Sequence, residues 1–223
     1  MDRQEQRPQQ NTIVRKNYFR KKIAYAESLC VTESKADYSD VCIVLCAILS
    51  ACAAIRWPGK NIDKARFIEL LIMHSKPEHG LDLVSIPTLM NDKLIHYSDT
   101  PYSKPGQSNR IFIDEEIDLR FSDAKSKFKN LDEKELKSRT YASLIYEWIR
   151  CGYAHEYLLG GYACQVPASR QKARVSYIQR IEKDHSSTVM MSFHLDYLFE
   201  ISQHHVEILP GLAEPEPLKW WKN

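Results

Sequence analysis

The sequence predicts a mainly α fold: a helical bundle with a small C-terminal β-hairpin and a final helix. Three observations lead there. Long stretches repeat apolar residues at helical spacing between capping residues and breakers. Glycine is scarce, 7 in 223 residues, which argues against a sandwich or barrel that spends Gly at many tight turns. Only two neighbouring stretches, Arg174–Ile181 and Thr188–Phe193, alternate in β-branched and aromatic residues, the period of a strand pair.

Taken in order, residues 1–11 are rich in Gln and Arg and are expected to be disordered. One domain is expected over 12–209. Its first helix runs from Thr12 to about Cys30. Ser39 or Asp40 can cap a second helix that continues to Arg56 and stops before Trp57-Pro58-Gly59. That helix is apolar almost all round and is expected at the centre. Asn61 is a plausible N-cap for a third helix, Ile62–His74, closed by Pro77. A short helix is expected after Pro87, then a Pro/Gly/Ser-rich loop over 97–110.

The acidic run Asp114, Glu115, Glu116 and Asp118 reads as a solvated helix start, where carboxylates meet the positive dipole end. The strongest helix runs from Asp132 to Leu159. Asp132 and Glu135 form a capping box, and Gly160-Gly161 end it. The hairpin occupies about 174–193, with 183–187 between its strands. A last helix spans Leu195–Leu209, and 210–223 is expected to be a flexible tail.

Composition excludes several classes. Hydrophobic residues make up 43% and charged residues 27%, ordinary for a folded chain and wrong for a collagenous or low-complexity one. Net charge is +2, so no global basic field marks a nucleic-acid binder. Local charge is less even. Residues 1–22 sum to about +5, and Arg170, Lys172 and Arg174 form a second basic patch that can meet RNA phosphates.

The six cysteines contain no C-x-x-C pair and read as reduced thiols of a cytoplasmic protein. The N-terminus lacks the apolar core of a signal peptide. The longest apolar run, Val41–Ile55, is about 15 residues, short of the ~20 that span a bilayer, so no membrane association is expected. There is no P-loop, no G-x-G-x-x-G, no H-E-x-x-H and no zinc spacing, so no cofactor and no metal are expected. Ser122–Lys125 matches S-x-x-K without its companion motifs. His204 and His205 point about 100° apart on a helix and do not chelate together easily.

One constellation carries chemistry. Near the end of the strongest helix, Arg150 is followed by four residues, then His155, Glu156 and Tyr157. Arg-x4-His alone is expected about 0.5 times by chance, and adding Tyr two residues after His lowers this to about 0.03. A second Arg-x4-His pair, Arg180 and His185, falls at the predicted hairpin and is read as coincidence. Metal-free RNA cleavage needs a proton-transfer group for the 2′-hydroxyl and a cation for the phosphorane. His serves the first near neutral pH, and the planar Arg fork serves the second.

The R-x4-H-x-Y segment resembles the motif of the HEPN superfamily, and is similar to that of HepT-like toxin ribonucleases. The clear similarity covers about 25 residues. The resemblance implies a HEPN-like helical bundle and a metal-independent endoribonuclease of a bacterial defence or toxin–antitoxin system. It also implies a homodimer whose two motifs share one cleft, and an antitoxin or regulatory protein as partner. Arg150 and His155 would be catalytic. Tyr157 would be the modification target, with Glu147 and Glu156 as further candidates for modification or substrate contact. Cys151 stands where family members carry a polar residue.

On a regular α-helix, Arg150 and His155 lie about 140° apart. A two-fold dimer that brings a second pair into the site removes that difficulty. Other readings remain open at this point. A HEPN-like module can bind a nucleotide, nucleic acid or partner without catalysis. A regulator can use the basic N-terminal helix. Or Arg150 pairs with Glu147 or Glu156, His155 caps the helix end, and Tyr146, Trp148, Tyr153 and Leu158 are core.

Overall fold

In a computed structural model of the chain, helices alternate with two small antiparallel sheets. Residues 3–30, 37–96, 111–113, 117–165, 173–181, 187–209 and 217–221 are described. The helices are α1 (Arg3–Leu29), α2 (Tyr38–Arg56), α3 (Asp63–His74), α4 (Ile86–Asn91), α5 (Phe121–Lys127), α6 (Glu133–Ser138), α7 (Tyr141–Leu144) and α8 (Leu195–Glu207). A π-helix, Ile145–Glu156, continues directly from α7. The strands are β1 (Leu83–Val84), β2 (Ile111–Ile113), β3 (Leu119–Arg120), β4 (Val175–Ile181) and β5 (Ser187–Phe193). The expectation of a mainly α chain with a C-terminal hairpin and a final helix holds. Where the sequence suggests one domain over 12–209, the chain divides into two compact units: residues 1–75 with 198–223, and residues 76–197.

The first unit is built on α2. Asp37 caps it by accepting from the Ser39 and Asp40 amides, and Asp40 returns a bond to the Asp37 amide. The cap is therefore Asp37, not Ser39 or Asp40. Such a box contributes about 1 kcal/mol. Val41, Cys42, Leu45, Leu49 and Cys52 recur at helical spacing and are buried, because α1 and α3 both pack on this helix.

At 19 residues α2 is long and apolar enough to cross a membrane by length and composition, yet half of its most apolar window is buried within the protein. Pro58-Gly59 ends the helix as expected. Arg66 pins the turn by donating to the Trp57 and Gly59 carbonyls, both at 3.2 Å. Asn61 is not the cap of α3. It takes a left-handed conformation, φ 61°, and Ile62 holds the cap position without a side-chain bond.

Residues near 219 dock in this unit. Glu69 on α3 is buried, 2% exposed, and its carboxylate accepts the backbone N–H groups of Lys219 and Trp220, each at 2.7 Å. A buried carboxylate needs such donors. Leu218 is buried beside them, so this part of the expected flexible tail is anchored on Glu69.

The second unit holds both sheets. β4 and β5 pair antiparallel from Val175↔Phe193 to Ile181↔Ser187, close to the expected hairpin. The sheet has a third strand that the sequence did not announce: β2 pairs with β4, giving the order β2-β4-β5. The outer edge of β5 is covered. Asn91 donates to the Val189 carbonyl at 2.7 Å and accepts from the Val189 amide at 3.1 Å. Residues Tyr162 and Cys164 exchange backbone bonds with Met191 at 2.9 and 2.8 Å. Covering an edge in this way removes a template for strand addition.

Asp118 is not the solvated helix start expected of it. Its carboxylate accepts from the Ile86 amide at 2.9 Å, from the Tyr177 hydroxyl at 2.5 Å, and from the Tyr141 hydroxyl. Tyr141 and Tyr177 are fully buried, so this one carboxylate satisfies two hydroxyls that burial would otherwise penalise. Asp114, Glu115 and Glu116 lie outside the described residues.

Candidate functional site

The helix expected over Asp132–Leu159 exists in segments. Asp132 and Glu135 form the predicted capping box on α6. The helix then breaks at Arg139–Thr140. The Ser85 amide takes the Arg139 carbonyl at 2.9 Å, and Val84 and Thr140 form a β-bridge. These bonds compete with helical ones for the same backbone groups. Thr140 restarts the helix as the N-cap of α7, accepting from the Ser143 amide. Arg139 is held by Asp92, with Nε at 2.7 Å and a second guanidinium nitrogen at 2.6 Å.

Beyond α7 the backbone widens into the π-helix that carries the motif. Each amide of a π-helix bonds the carbonyl five residues back. Residues five apart therefore fall on successive turns, Arg150 and His155 among them. The angular separation of about 140° expected from α-helical winding does not apply here. Tyr146, Trp148, Ile149, Gly152 and Tyr153 are buried, while Ala154 to Leu158 are exposed.

Arg150 is half-buried. Its guanidinium lies over the Tyr146 ring, 5.3 Å from the centroid, and donates to Cys151 Sγ at 3.7 Å. His155 and Glu156 are exposed, and Glu147 is half-buried. Tyr157 is 78% exposed. It is no longer helical: it forms the C-cap with φ 55° and ψ 21°, a left-handed backbone that a bulky residue rarely adopts. The helix thus ends at Glu156, and the cap is Tyr157 instead of Gly160-Gly161. Leu158 is 67% exposed, so it is not core as one reading supposed, whereas Tyr146, Trp148 and Tyr153 are.

The two glycines fold the chain back onto the helix. The Gly160 amide donates to the Trp148 carbonyl at 2.9 Å. A Cβ on Gly152 would meet the Leu158 carbonyl oxygen at 2.4 Å, so only glycine admits this close return. Tyr162 then sets its ring edge-on to Trp148, centroids 6.2 Å apart, and donates to Asp92 at 3.3 Å. Burial leads the causes that push the Tyr162 hydroxyl above its usual range, followed by the nearby Asp92 charge. The motif end is therefore tied to Asp92 and Arg139 on one side and to β5 on the other. Nothing in the local pattern of 150–157 announces those ties.

Of the second basic patch, Arg174 is placed by the fold: it donates to the Glu78 carbonyl through Nε at 3.2 Å and Nη2 at 2.9 Å. Arg170 and Lys172 lie outside the described residues, as does His185 of the second Arg-x4-His pair. Elsewhere, His205 is buried and shares a 2.8 Å hydrogen bond with Ser75, and His194 one of 2.7 Å with Ser176. Among the described residues no group of three or more His, Cys, Asp or Glu is placed to hold a metal ion. No family model, no curated protein and no solved structure matches this chain.

Proposed function

We propose that the chain is a HEPN-like, metal-independent endoribonuclease that cleaves RNA by attack of the 2′-hydroxyl on the adjacent phosphorus. One observation carries this reading: an Arg fork and an imidazole belong to successive turns of one π-helix, Arg150 half-buried within it and His155 at its exposed end. π-helical turns are concentrated at functional sites.

In the proposed reaction His155 accepts the 2′-hydroxyl proton and the 2′-oxygen bonds to phosphorus. The bond to the 5′-oxygen breaks, leaving a 2′,3′-cyclic phosphate and a 5′-hydroxyl. Arg150 neutralises the phosphorane oxygens. In a two-fold homodimer the second His155 supplies the proton that the leaving oxygen needs, so each site uses one histidine as base and one as acid. A bacterial defence or toxin–antitoxin setting, with an antitoxin or regulatory protein as partner, fits a ribonuclease that must be restrained. Exposed Tyr157 is the proposed acceptor of a restraining modification. Glu147 and Glu156 flank the pair in sequence. The proposed location is the cytoplasm.

A second reading is favoured by the Arg150 guanidinium lying on Tyr146 and Cys151 of its own helix: a HEPN-like module that binds without cleaving. RNA cleavage assays with and without EDTA separate the two. His155→Ala is expected to lower cleavage by ~10²–10⁴-fold. Arg150→Lys keeps the charge, loses the fork and also impairs turnover. His185→Ala stays within a few-fold. A substrate with a single 2′-deoxy sugar at the cut site survives. Undiminished cleavage by the His155 variant, or loss of cleavage with EDTA, overturns the mechanism. No cleavage by the wild type with intact RNA binding favours the binding module.

A further inference from the structure

α1 is basic in an unusually one-sided way. Between Glu5 and Glu27 the sequence has no acidic residue, while Arg15, Lys16, Arg20, Lys21 and Lys22 fall in that interval. The helix uses its cations in two ways. Lys16 donates to the Glu207 carbonyl at 2.5 Å, and Arg20 forms a two-pronged pair with the Glu207 carboxylate at 2.7 and 2.6 Å. These two are spent on α8, alongside the buried side of α1 marked by Phe19, Ile23 and Ala26.

Arg15, Lys21 and Lys22 are exposed. At 100° per residue they share an arc of about 120° with Val14, Tyr18 and Tyr25. Tyr18 is 55% exposed and Tyr25 52%. The Lys22 ammonium lies over both rings, 5.5 Å from Tyr18 and 5.9 Å from Tyr25. Tyr18 and Tyr25 are seven residues apart, about 10 Å along the axis.

We propose that this outward face of α1 captures single-stranded nucleic acid, with Arg15, Lys21 and Lys22 on phosphates and Tyr18 and Tyr25 stacked on unpaired bases. Cations interleaved with exposed aromatic rings are what a strand-binding surface needs: the charges track the backbone and the rings take any base. A duplex hides its base faces, so the rings would gain nothing from it. An anionic membrane is the poorer fit. A helix lying in a bilayer surface needs a broad arc of bulky apolar groups, and here the aliphatic residues in the arc are Val14 and, at the helix end, the half-buried Leu29. Ile13 projects about 140° from Tyr18. The inference stands apart from the ribonuclease reading, since capture without cleavage satisfies it.

The test is fluorescence anisotropy of the full chain with a labelled 15-nucleotide 2′-O-methyl oligouridylate, which 2′-hydroxyl attack cannot cleave. A DNA strand of matching length, a duplex and anionic phosphatidylserine vesicles are run alongside. Tyr18→Ala/Tyr25→Ala is expected to weaken single-strand binding by about tenfold or more, and Tyr18→Phe/Tyr25→Phe to leave it within about twofold. Lys21→Ala/Lys22→Ala is expected to reduce the slope of log affinity against log salt by about 1.4, near 0.7 per phosphate contact. These side chains are exposed, so melting curves should match the wild type. The two single strands should bind alike and more tightly than the duplex.

No single-strand binding by the wild type overturns the proposal. So does unchanged affinity in the Tyr→Ala variant, or an equal preference for duplex. Vesicle binding that depends on the same residues, without oligonucleotide binding, overturns it in favour of a membrane surface.

Discussion

The Trp148 indole occupies the space where any side chain on Gly161 would begin. A Cβ built there would sit 2.2 Å from Trp148 Nε1, and Gly161 itself has φ +55°. Conformation and contact both demand glycine, and the contact fastens the end of the motif helix. Gly161→Ala is therefore expected to cost about 1–3 kcal/mol from overpacking, with about 1 kcal/mol more for the left-handed backbone. Urea denaturation measures it. A loss below about 0.5 kcal/mol, the range of an indifferent surface change, would show that the return is not tightly packed. If the return also holds His155 in place, RNA cleavage falls in this variant even at temperatures where it remains folded.

Thiol reactivity should divide the six cysteines. Burial pushes the Cys42 thiol well above its usual range, Cys52 up to about 12 and Cys164 up to about 11. Cys46 is buried as well, whereas Cys30 is exposed and Cys151 half-exposed. The thiolate is the reactive form. A disulfide reagent at pH 8 is expected to modify Cys30 and Cys151 first, Cys164 slowly, and Cys42, Cys46 and Cys52 only on unfolding. Rapid modification of all six without denaturant would contradict the packing of α2.

Glu133 gives the chain an acid-sensitive contact. Its carboxylate accepts from Lys125 at 2.5 Å and from Lys137 at 2.9 Å, and Lys137 is nearly buried. These bonds, Lys125 first, hold the carboxyl down at about 2, against 4.5 ordinarily. A depressed carboxylate stabilises the fold above its unfolded pKa and loses that contribution as pH falls toward the folded value. Glu133→Gln is expected to lower stability at pH 7 by about 1 kcal/mol, the upper end for a part-exposed pair, and the gap is expected to narrow as pH falls from the ordinary carboxylate range toward the folded value. Melting curves from pH 7 to 2 test this; a constant gap across the range would sink the assignment.

The proposed site predicts a symmetric dimer, because one His155 cannot be base and acid in the same event. Light scattering is expected to report twice the chain mass of 26.0 kDa. Mixing His155→Ala chains into the wild type should lower cleavage beyond simple dilution, because a heterodimer holds one His155 and the shared site needs two. A strict monomer that still cleaves RNA would overturn the shared site.

What the sequence determined by itself was set by neighbours a few residues apart. Pro58-Gly59 stops α2 whatever surrounds it. Asp132 and Glu135 close a capping box within one turn, and the alternation over 174–181 and 188–193 announces a strand pair close to the one observed. The identity of the motif, Arg150, His155 and Tyr157, was also legible, since residue type and spacing are sequence properties.

The tertiary structure decided the rest, because distant groups compete for the same backbone and space. Ser85 takes the Arg139 carbonyl and breaks a helix that local propensity would have continued. Asp118 leaves its acidic run to satisfy Tyr141 and Tyr177. Glu69 draws in the Lys219 and Trp220 amides from 150 residues away. The π winding of residues 145–156 follows no local signal that 3.6-residue periodicity can reveal. It becomes visible only where the helix is anchored at both ends, by the β1 bridge to Thr140 and by the Gly160-Gly161 return onto Trp148.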